Sequence, residues 1–180
     1  MEAMETPAET FARDEFSLTR WTFADAGAVR AAVSGSGAHL ADWVPWAAGG
    51  YTGEDAAAFL RLTRENWETG RAYEWAIRVD GSLVGAVGVM TRDGGVEIGY
   101  WLARAFTGRG LVTRAVTLVV DDAFRRGAEY VEIRHDEANV RSGAVPARLG
   151  FSVVRKEPED SGDLPPMCAG VKQVWRKERP

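Results

Sequence analysis

The stretch that decides the fold runs from Val96 to Thr113: it reads VEIGYWL over Val96–Leu102 and, after five intervening residues, GRGLVT over Gly108–Thr113. The first segment is typical of a strand, and the second opens a run with apolar residues at helical spacing. Glycine lets the backbone come close to a ligand, and the first amides of a helix point outward unpaired with partial positive charge. The junction therefore predicts a pyrophosphate-binding turn between a strand and a helix.

Three alternatives compete for the same residues. A dinucleotide-binding fingerprint would need a third glycine where Thr113 stands, and parallel strands linked by helices instead of the hairpins that precede this junction. A Walker A loop is excluded because no Gly-Lys-Ser or Gly-Lys-Thr occurs. A Gly-rich turn that binds no ligand stays open as the third alternative.

Turn and capping signals extend the pattern outward. Asp80-Gly81 predicts a hairpin, and Asp93-Gly94-Gly95 predicts a reversal into the strand at 96–102. Thr52 begins a helix that runs to Gly70. The resulting order is strand, two helices, three strands, helix, strand, helix and two strands. This order predicts an α+β fold with one mixed, mostly antiparallel sheet of about seven strands and helices on both faces.

Length and charge limit the domain organisation and the partners. The acidic residues 1–15 are expected to form a flexible tail before a single domain at 16–177, and residues 156–166 a loop between strands. With 26 Asp and Glu against 22 Lys and Arg, the net charge of -4 predicts no nucleic acid and no membrane as partner. One cysteine and two histidines predict no metal site. Because no membrane span or signal peptide is evident, the expected location is cytoplasmic.

Residues 96–113 resemble the strand four and pyrophosphate loop of the GNAT acyltransferases, and within them the RimJ/RimL-type branch. Thr107 takes the place of the family's Gln or Arg, Gly110 matches its invariant glycine, and Val112 takes its final small position. Three further segments are similar to motifs of that branch: Asn139-Val140-Arg141-Ser142, Ala147-Arg148-Leu149-Gly150-Phe151, and His39-Leu40 through Trp43-x-x-Trp46. The resemblance covers about residues 16–177.

The resemblance implies acetyl-CoA as cosubstrate. Its pantetheine arm would run beside the strand at 96–102, paired to the backbone at Tyr100 and Leu102, and this strand would splay from the one that ends at His135. Arg148 would meet a phosphate. The residues expected to bind acetyl-CoA are Tyr100, Trp101, Leu102, Thr107, Gly108, Arg109, Gly110, Leu111, Val112, Thr113, Asn139, Ser142 and Arg148.

Acetyl transfer from a thioester to an amine needs a neutral amine, a donor for the developing oxyanion and a proton for the thiolate. Glu97 is the first candidate base, through water, with an ion-paired carboxylate at a strand edge as its alternative. His135 is the second candidate base, with a capped surface histidine as its alternative. Ser142 either protonates the thiolate or caps the following helix.

Trp43 and Trp46 lie in an irregular segment and are candidates for stacking on the acceptor. The function that the resemblance implies is an N-acetyltransferase that acts on a protein N-terminus or on an amine-bearing small molecule. A catalytically inactive CoA-binding sensor is the main alternative, and a nucleotide-binding module is a third. The resemblance and the exposed apolar loop residues also favour a homodimer.

Overall fold

The computed structural model describes residues 4–160 and 162–180, which form one sheet of eight strands with five α-helices. The strands are β1 (Thr10–Arg13), β2 (Phe16–Arg20), β3 (Ala72–Val79), β4 (Ser82–Arg92), β5 (Gly95–Leu102), β6 (Tyr130–Asp136), β7 (Ser152–Pro158) and β8 (Val171–Glu178). The helices are α1 (Ala26–Ser34), α2 (Ala38–Ala41), α3 (Gly53–Thr69), α4 (Leu111–Arg125) and α5 (Val140–Arg148). None of the helices in these two ranges has both the length and the apolar character that crossing a membrane requires.

The sheet has the strand order β1-β2-β3-β4-β5-β6-β8-β7. In the part of the chain that the structure describes, β5 and β6 are the one parallel pair, and the other neighbours are antiparallel. The predicted α+β class, with a single mixed and mostly antiparallel sheet, is confirmed. The sheet has eight strands where about seven were expected.

The additional strand lies in the segment expected to be a flexible tail, and that expectation is wrong for its second half. Thr10–Arg13 forms β1 and pairs with β2. Phe11 packs edge-on against Trp75 with ring centroids 5.7 Å apart, and the Trp75 Nε1–H donates to the Ala8 carbonyl at 3.0 Å. An acidic composition did not prevent pairing, because β2 offers a free edge and Trp75 a surface to pack on. Residues 1–3 of the expected tail, and Ser161 of the expected loop at 156–166, lie outside the described residues.

Local signals place the elements that surround the site. Asp80 and Gly81 have φ values of 49° and 79°, as a tight hairpin turn requires, and they join β3 to β4. Thr52 caps α3: its side chain accepts from the Asp55 amide, and the Asp55 carboxylate accepts from the Thr52 amide. The predicted hairpin and the predicted start of this helix are both confirmed.

Helices cover both faces of the sheet, as predicted. On one face α4 packs its apolar side chains, Val116 and Val119 among them, against core residues of the central strands. On the other face α1 and α3 pack against the small side chains of Ala76 and Ala86. Small residues under α1 and α3 leave space between these helices and the sheet, which is where the cavity described below lies.

Candidate active site

The strands β5 and β6 separate in the middle of the sheet. Their parallel ladder runs from Gly95 opposite Tyr130 to Ile98 opposite Ile133 and goes no further. Both strands continue beyond this point, β5 to Leu102 and β6 to Asp136. The predicted splay is therefore confirmed, and it exposes one edge of the last four residues of β5.

The loop after β5 brings the N-terminus of α4 to this opening. Gly108 and Gly110 have φ values of 78° and 69°, a region that favours glycine, and Gly110 is the N-cap of α4. A Cβ atom at either glycine would have no other atom within 4 Å, so the backbone faces open space. Thr107 turns its hydroxyl inward to donate to the Arg104 carbonyl at 3.0 Å. The amides of the first turn of α4 are thus directed at a space that suits an anion.

The N-terminus of α5 forms the opposite side of the opening. The Asn139 Oδ1 accepts from the Ser142 amide at 3.1 Å, which makes Asn139 the cap of this helix. The alternative in which Ser142 caps the helix is therefore wrong, because the cap lies three residues earlier. Arg148 is exposed at the far end of α5.

Ser142 instead connects α5 to β5. Its hydroxyl donates to the Tyr100 Oη at 3.3 Å, and the Tyr100 hydroxyl donates to the Ser142 carbonyl at 2.8 Å. Burial raises the pKa of Tyr100 to about 12, so the phenol keeps its proton at neutral pH. Two neutral hydroxyl groups therefore span the opening.

The Leu102 backbone is less available than the resemblance implies. The His39 Nε2–H donates to the Leu102 carbonyl at 3.2 Å and ties the segment that contains α2 to the end of β5. A pantetheine arm paired to this carbonyl would have to share it with His39 or displace His39. Because backbone groups alternate between the two edges and those of Gly99 face Gly88 on β4, the open part of the β5 edge is centred on the Tyr100 backbone.

His135 does not lie at the mouth of the opening, and its predicted role as a base is corrected by its contacts. The residue is buried, its Nε2 accepts from the Trp175 Nε1–H at 2.8 Å, and its Nδ1 donates to the Asp136 carbonyl at 2.7 Å. Burial also lowers the pKa of His135. With both ring nitrogens engaged, the neutral imidazole is a packing residue on which Gly143 rests.

Glu97 lies at the start of β5 on the same face as Gly99 and Trp101, as predicted, but its carboxylate is engaged. Its Oε2 is 2.8 Å from the Arg92 Nη2 and 3.4 Å from the Arg134 Nε. The side chain does not line the cavity beside the opening. The structure therefore favours the ion-pair alternative for Glu97 over the predicted base.

A cavity of about 700 Å³ lies between the sheet and the helices α1 and α3. Its lining includes Gly99, Tyr100 and Trp101, the three residues that follow the end of the β5–β6 ladder, so the cavity adjoins the opening. The apolar side chains that line it include Val29, Val33, Val44, Trp46, Phe59, Leu62, Met90 and Trp101. The cavity is therefore suited to an apolar group.

The two tryptophans predicted to meet the acceptor have different surroundings. Trp46 lines the cavity, lies 5.9 Å from Trp101 and 6.2 Å from Tyr51 between ring centroids, and is 45% exposed. Trp43 does not line the cavity, and its carbonyl accepts from the Cys168 thiol at 3.7 Å. Only Trp46 is brought together with the opening.

Glu74 on β3 also lines the cavity, and the sequence analysis did not single it out. Burial raises the pKa of its carboxyl group to about 7. The sequence does contain a sign of this burial. Glu74 lies between Tyr73 and Trp75 in a strand, on the face where Ala72 and Ala76 predict burial. A carboxylate on a buried face is unusual and marks a candidate functional residue.

Comparison with known proteins agrees with this geometry. The family model described as an acetyltransferase (GNAT) domain matches residues 16–152. A curated relative, the "Putative ribosomal N-acetyltransferase YdaF" of Bacillus subtilis, is 37% identical over 82 residues, which span 43% of this chain and 45% of that protein. The match therefore spans about half the length of this relative.

Two solved structures are similar over nearly their whole length. The microcin C7 self immunity acetyltransferase MccE, in complex with acetyl-CoA and AMP, superimposes with a TM-score of 0.83 at 19% identity and covers 92% of this chain and 93% of that chain. RimL, a ribosomal L7/L12 α-N-protein acetyltransferase in complex with coenzyme A, has a TM-score of 0.83 at 18% identity over 92% of this chain and 95% of that chain. At these identities the likeness shows a shared fold.

Proposed function

Because this chain belongs to the acetyltransferase (GNAT) domain family, we propose that it transfers an acetyl group from acetyl-CoA to a primary amine by direct attack in a ternary complex. The family and the enzyme class predicted from the sequence are confirmed by the family match, and the RimL likeness agrees with the predicted branch. The observation that carries the proposal is the opening between β5 and β6, which has the N-terminus of α4 on one side and the apolar cavity on the other.

The cosubstrate fits this opening on three counts. The amides around Gly110 face open space and suit the pyrophosphate, and the exposed side chain of Arg109 lies next to them. The free edge of β5 at Tyr100 would accept pantetheine as an added strand. MccE and RimL, which share the fold, were solved with acetyl-CoA and with coenzyme A.

The chemistry follows from what lies at the opening. The Tyr100 amide, which points to the open edge of β5, would donate to the oxygen of the thioester as it becomes anionic. The linked hydroxyl groups of Ser142 and Tyr100 would supply a proton to the departing thiolate. A thiol with an ordinary pKa of ~8.5 leaves readily, so this proton contributes less than the oxyanion donor.

The acceptor side keeps two candidates from the sequence analysis, a protein N-terminus and an amine-bearing small molecule. The YdaF relative is named as a ribosomal N-acetyltransferase and RimL as an α-N-protein acetyltransferase, which supports the first. The aromatic wall formed by Trp46 and Trp101 is compatible with either. A cytoplasmic location and a homodimer stay predictions.

Release of free thiol from acetyl-CoA tests the proposal. The protein is incubated with acetyl-CoA and a panel of N-terminal peptides, polyamines, aminoglycosides and aminoacyl nucleotides, and thermal unfolding is followed with acetyl-CoA or NAD. Amine-dependent thiol release supports the enzyme. Stabilisation by acetyl-CoA without release on any amine would favour the inactive CoA-binding module. Stabilisation by NAD alone would favour the nucleotide-binding module.

A matched pair of variants locates the cosubstrate. At ~100 times Kd, acetyl-CoA should stabilise the wild type by about 2.7 kcal/mol, and Gly110→Asp should remove most of this because a negative charge then faces the phosphates. Gly110→Asn has a similar size and also tolerates positive φ, so it should keep more of the stabilisation. Equal stabilisation of the wild type and Gly110→Asp would rule out this loop as the phosphate site.

A further inference from the structure

Three residues on neighbouring strands form a row that leads from the cavity to the opening. Glu74 on β3 is paired with Gly88 on β4, and Gly88 is paired with Gly99 on β5. The Glu74 side chain lies over Gly88, where an added Cβ atom would be 2.7 Å from the Glu74 Cγ. An added Cβ atom at Gly99 would have no other atom within 4 Å. Glycine weakens a strand interior, and it is found where a ligand or another chain segment approaches closely.

The Glu74 carboxylate is unpaired. It accepts no hydrogen bond and makes no ion pair with any residue in the ranges 4–160 and 162–180. By contrast, the four buried carboxylates in these ranges all have partners. Asp25 pairs with Arg78, Asp122 with Arg126, Glu132 with arginines of β6, β7 and β8, and Asp136 accepts from the amides of Ala138, Ala169 and Gly170. An unpaired carboxylate in an apolar cavity is costly, which calls for a functional reason.

The other ionisable groups that line the cavity do not neutralise Glu74. They are Tyr51 from the loop before α3, Asp55 from the first turn of α3 and Tyr100 from β5, and the lining within the described ranges includes no Lys, Arg or His. Asp55 is engaged with Thr52 at the start of α3. A cation that enters the cavity therefore meets Glu74 as its free counter-charge.

We infer that the Glu74 carboxylate receives the acceptor's ammonium group and takes its proton, and that the acceptor is a single primary amine carried on an uncharged apolar or aromatic body. This inference rests on the proposed acetyl transfer. Once one proton has passed from nitrogen to Glu74, the neutral amine attacks the acetyl carbon, the N–C bond forms and the C–S bond breaks. The sulfur leaves with the electron pair and takes a proton from the linked Ser142 and Tyr100 hydroxyls, which regain one as the nitrogen gives up its second proton. Glu74 returns its proton to water.

The row has the right length for this transfer. Strands are spaced ~4.8 Å apart, so Glu74 and Gly99 are separated by ~10 Å, of which an extended glutamate side chain spans about half. The remaining ~5 Å accommodates a nitrogen at hydrogen-bond distance from the carboxylate and ~3–3.5 Å from an acetyl carbon above Gly99. Burial holds the pKa of Glu74 at about 7, a value suited to a base that works near neutral pH.

The lining of the cavity determines the body of the acceptor. Trp46, Phe59, Met90 and Trp101 surround the row with apolar surface, and Glu74 supplies one negative charge. A polyamine or an aminoglycoside would bring further cations. Besides Glu74, the lining offers them only the Asp55 carboxylate, whose Oδ2 already accepts from the Thr52 amide and hydroxyl, and elsewhere they would lie against apolar walls at a desolvation cost. A single amine on an apolar or aromatic body brings one positive charge, and Glu74 pairs with it.

Steady-state kinetics with three acceptors tests the inference. The probes are phenethylamine, alanylphenylalanine amide and spermidine, and the proteins are the wild type, Glu74→Gln, Glu74→Asp and the exposed α3 control Glu68→Gln. We expect the wild type to prefer one or both aromatic amines over spermidine by at least ~10-fold in kcat/KM. Glu74→Gln should lower kcat/KM for these amines ~100-fold at pH 7. Glu74→Asp should lose less, and Glu68→Gln should match the wild type.

Two further readouts separate a proton acceptor from a structural residue. The wild-type kcat/KM should rise as the pH passes about 7, whereas that of Glu74→Gln should rise only as the amine itself deprotonates, at pH ~7.7–8.0 for the α-amine of the dipeptide amide. Stabilisation by acetyl-CoA should be equal in both proteins. A preference for alanylphenylalanine amide would indicate that the acceptor is a peptide N-terminus. A preference for phenethylamine would indicate a small arylalkylamine.

The contrary outcomes are distinct. If the wild type acetylates the aromatic amines and Glu74→Gln keeps more than a third of kcat/KM at pH 7, the inference about Glu74 fails and the proposed function stands. If spermidine is the best of the three acceptors, the inferred acceptor class fails. If the wild type releases no thiol with any amine of this set or of the wider panel, the proposed function fails and this inference fails with it.

Discussion

Glu74 and Glu132 are carboxylates on interior strands of the same sheet, and their surroundings are opposite. Glu132 on β6 is 4% exposed and accepts hydrogen bonds of 2.7–3.1 Å from Arg155 and Arg176. Although burial disfavours its charge, these hydrogen bonds lower its pKa to about 2. Burial also disfavours the charge of Glu74, which has no cation beside it among the described residues, and its pKa is raised to about 7. The same side chain thus serves as a strong anion in one place and as a potential base in the other.

Glu132 therefore stabilises the fold, whereas the charged form of Glu74 destabilises it. Arginines of three strands converge on Glu132 and join β6, β7 and β8. Glu74 stabilises nothing through its charge, because above pH ~7 the folded protein holds an anion that burial disfavours. A group that lowers stability and faces the cavity beside the reaction centre is a candidate for function.

The largest effect is expected from Glu132→Gln. The variant leaves three arginines without their shared anion, and we expect unfolding to become easier by about 2–3 kcal/mol at pH 7, reduced from the fully buried value because the arginines are partly exposed. Urea unfolding measures this change, and the kcat of the folded variant should stay within ~2-fold of the wild type. The pKa of Glu132 is lowered below its ordinary value, so its contribution is present above pH ~4.5 and is lost as the pH falls through about 2.

Glu178→Gln is the matched control for this variant. Glu178 lies 3.8 Å from the Arg176 Nη1, and its side chain is 69% exposed. Its loss should change the free energy of unfolding by less than ~0.5 kcal/mol. Similar losses in the two variants would show that burial and convergence of arginines do not distinguish Glu132 from a surface glutamate.

A smaller effect of opposite sign is expected from Glu74→Gln. Between pH 4.5, the ordinary value, and about 7 the folded protein keeps a proton that the unfolded chain has released, so wild-type stability falls as the pH rises through this window. The variant does not titrate there. We therefore expect it to unfold with the same free energy as the wild type at pH 4 and with about 1–2 kcal/mol more at pH 8.

Urea unfolding of both proteins across this pH range checks the sign. A difference that stays constant with pH would mean that Glu74 keeps an ordinary pKa, and the comparison with Glu132 would lose its physical basis. Together with the kinetic loss expected above, a gain in stability would show that the wild type gives up stability for activity at this position.

The fold was predictable where short segments determine it. The Asp80-Gly81 turn, the Thr52 capping box and the Gly108–Gly110 loop each depend on residues that are neighbours in sequence. The strand β1 was missed because a four-residue edge strand is fixed by its partner β2 and by the Trp75 surface, which local composition does not report.

The two sides of the candidate site also differ in how far the sequence predicts them. The side that faces the cosubstrate follows from one strand, one loop and one helix start, so the segment at 96–113 predicts it. The acceptor side does not, because Glu74 acquires its role only when Gly88 and Gly99 lie beside it on two other strands. His135 likewise looked available in the sequence, and its engagement depends on Trp175, 40 residues later in the chain.

The smallest effect is expected from Glu97→Gln. This variant tests whether Glu97, the base predicted from the sequence, is a paired structural carboxylate like Glu132 or a reactive one like Glu74. Glu97 shares its face of β5 with Gly99, yet its carboxylate pairs with Arg92, whose side chain is 43% exposed, and with Arg134. Pairs of this kind contribute ~0–1 kcal/mol, so we expect the variant to lose less than about 1 kcal/mol of stability. Its kcat/KM at pH 7 should stay within ~3-fold of the wild type, because a carboxylate held by two arginines outside the cavity does not reach the amine. The measurement is made beside Glu74→Gln with one amine and one batch of acetyl-CoA. A loss of ~100-fold in Glu97→Gln with an active Glu74→Gln would reverse the assignment and would make the paired carboxylate, acting through water, the base.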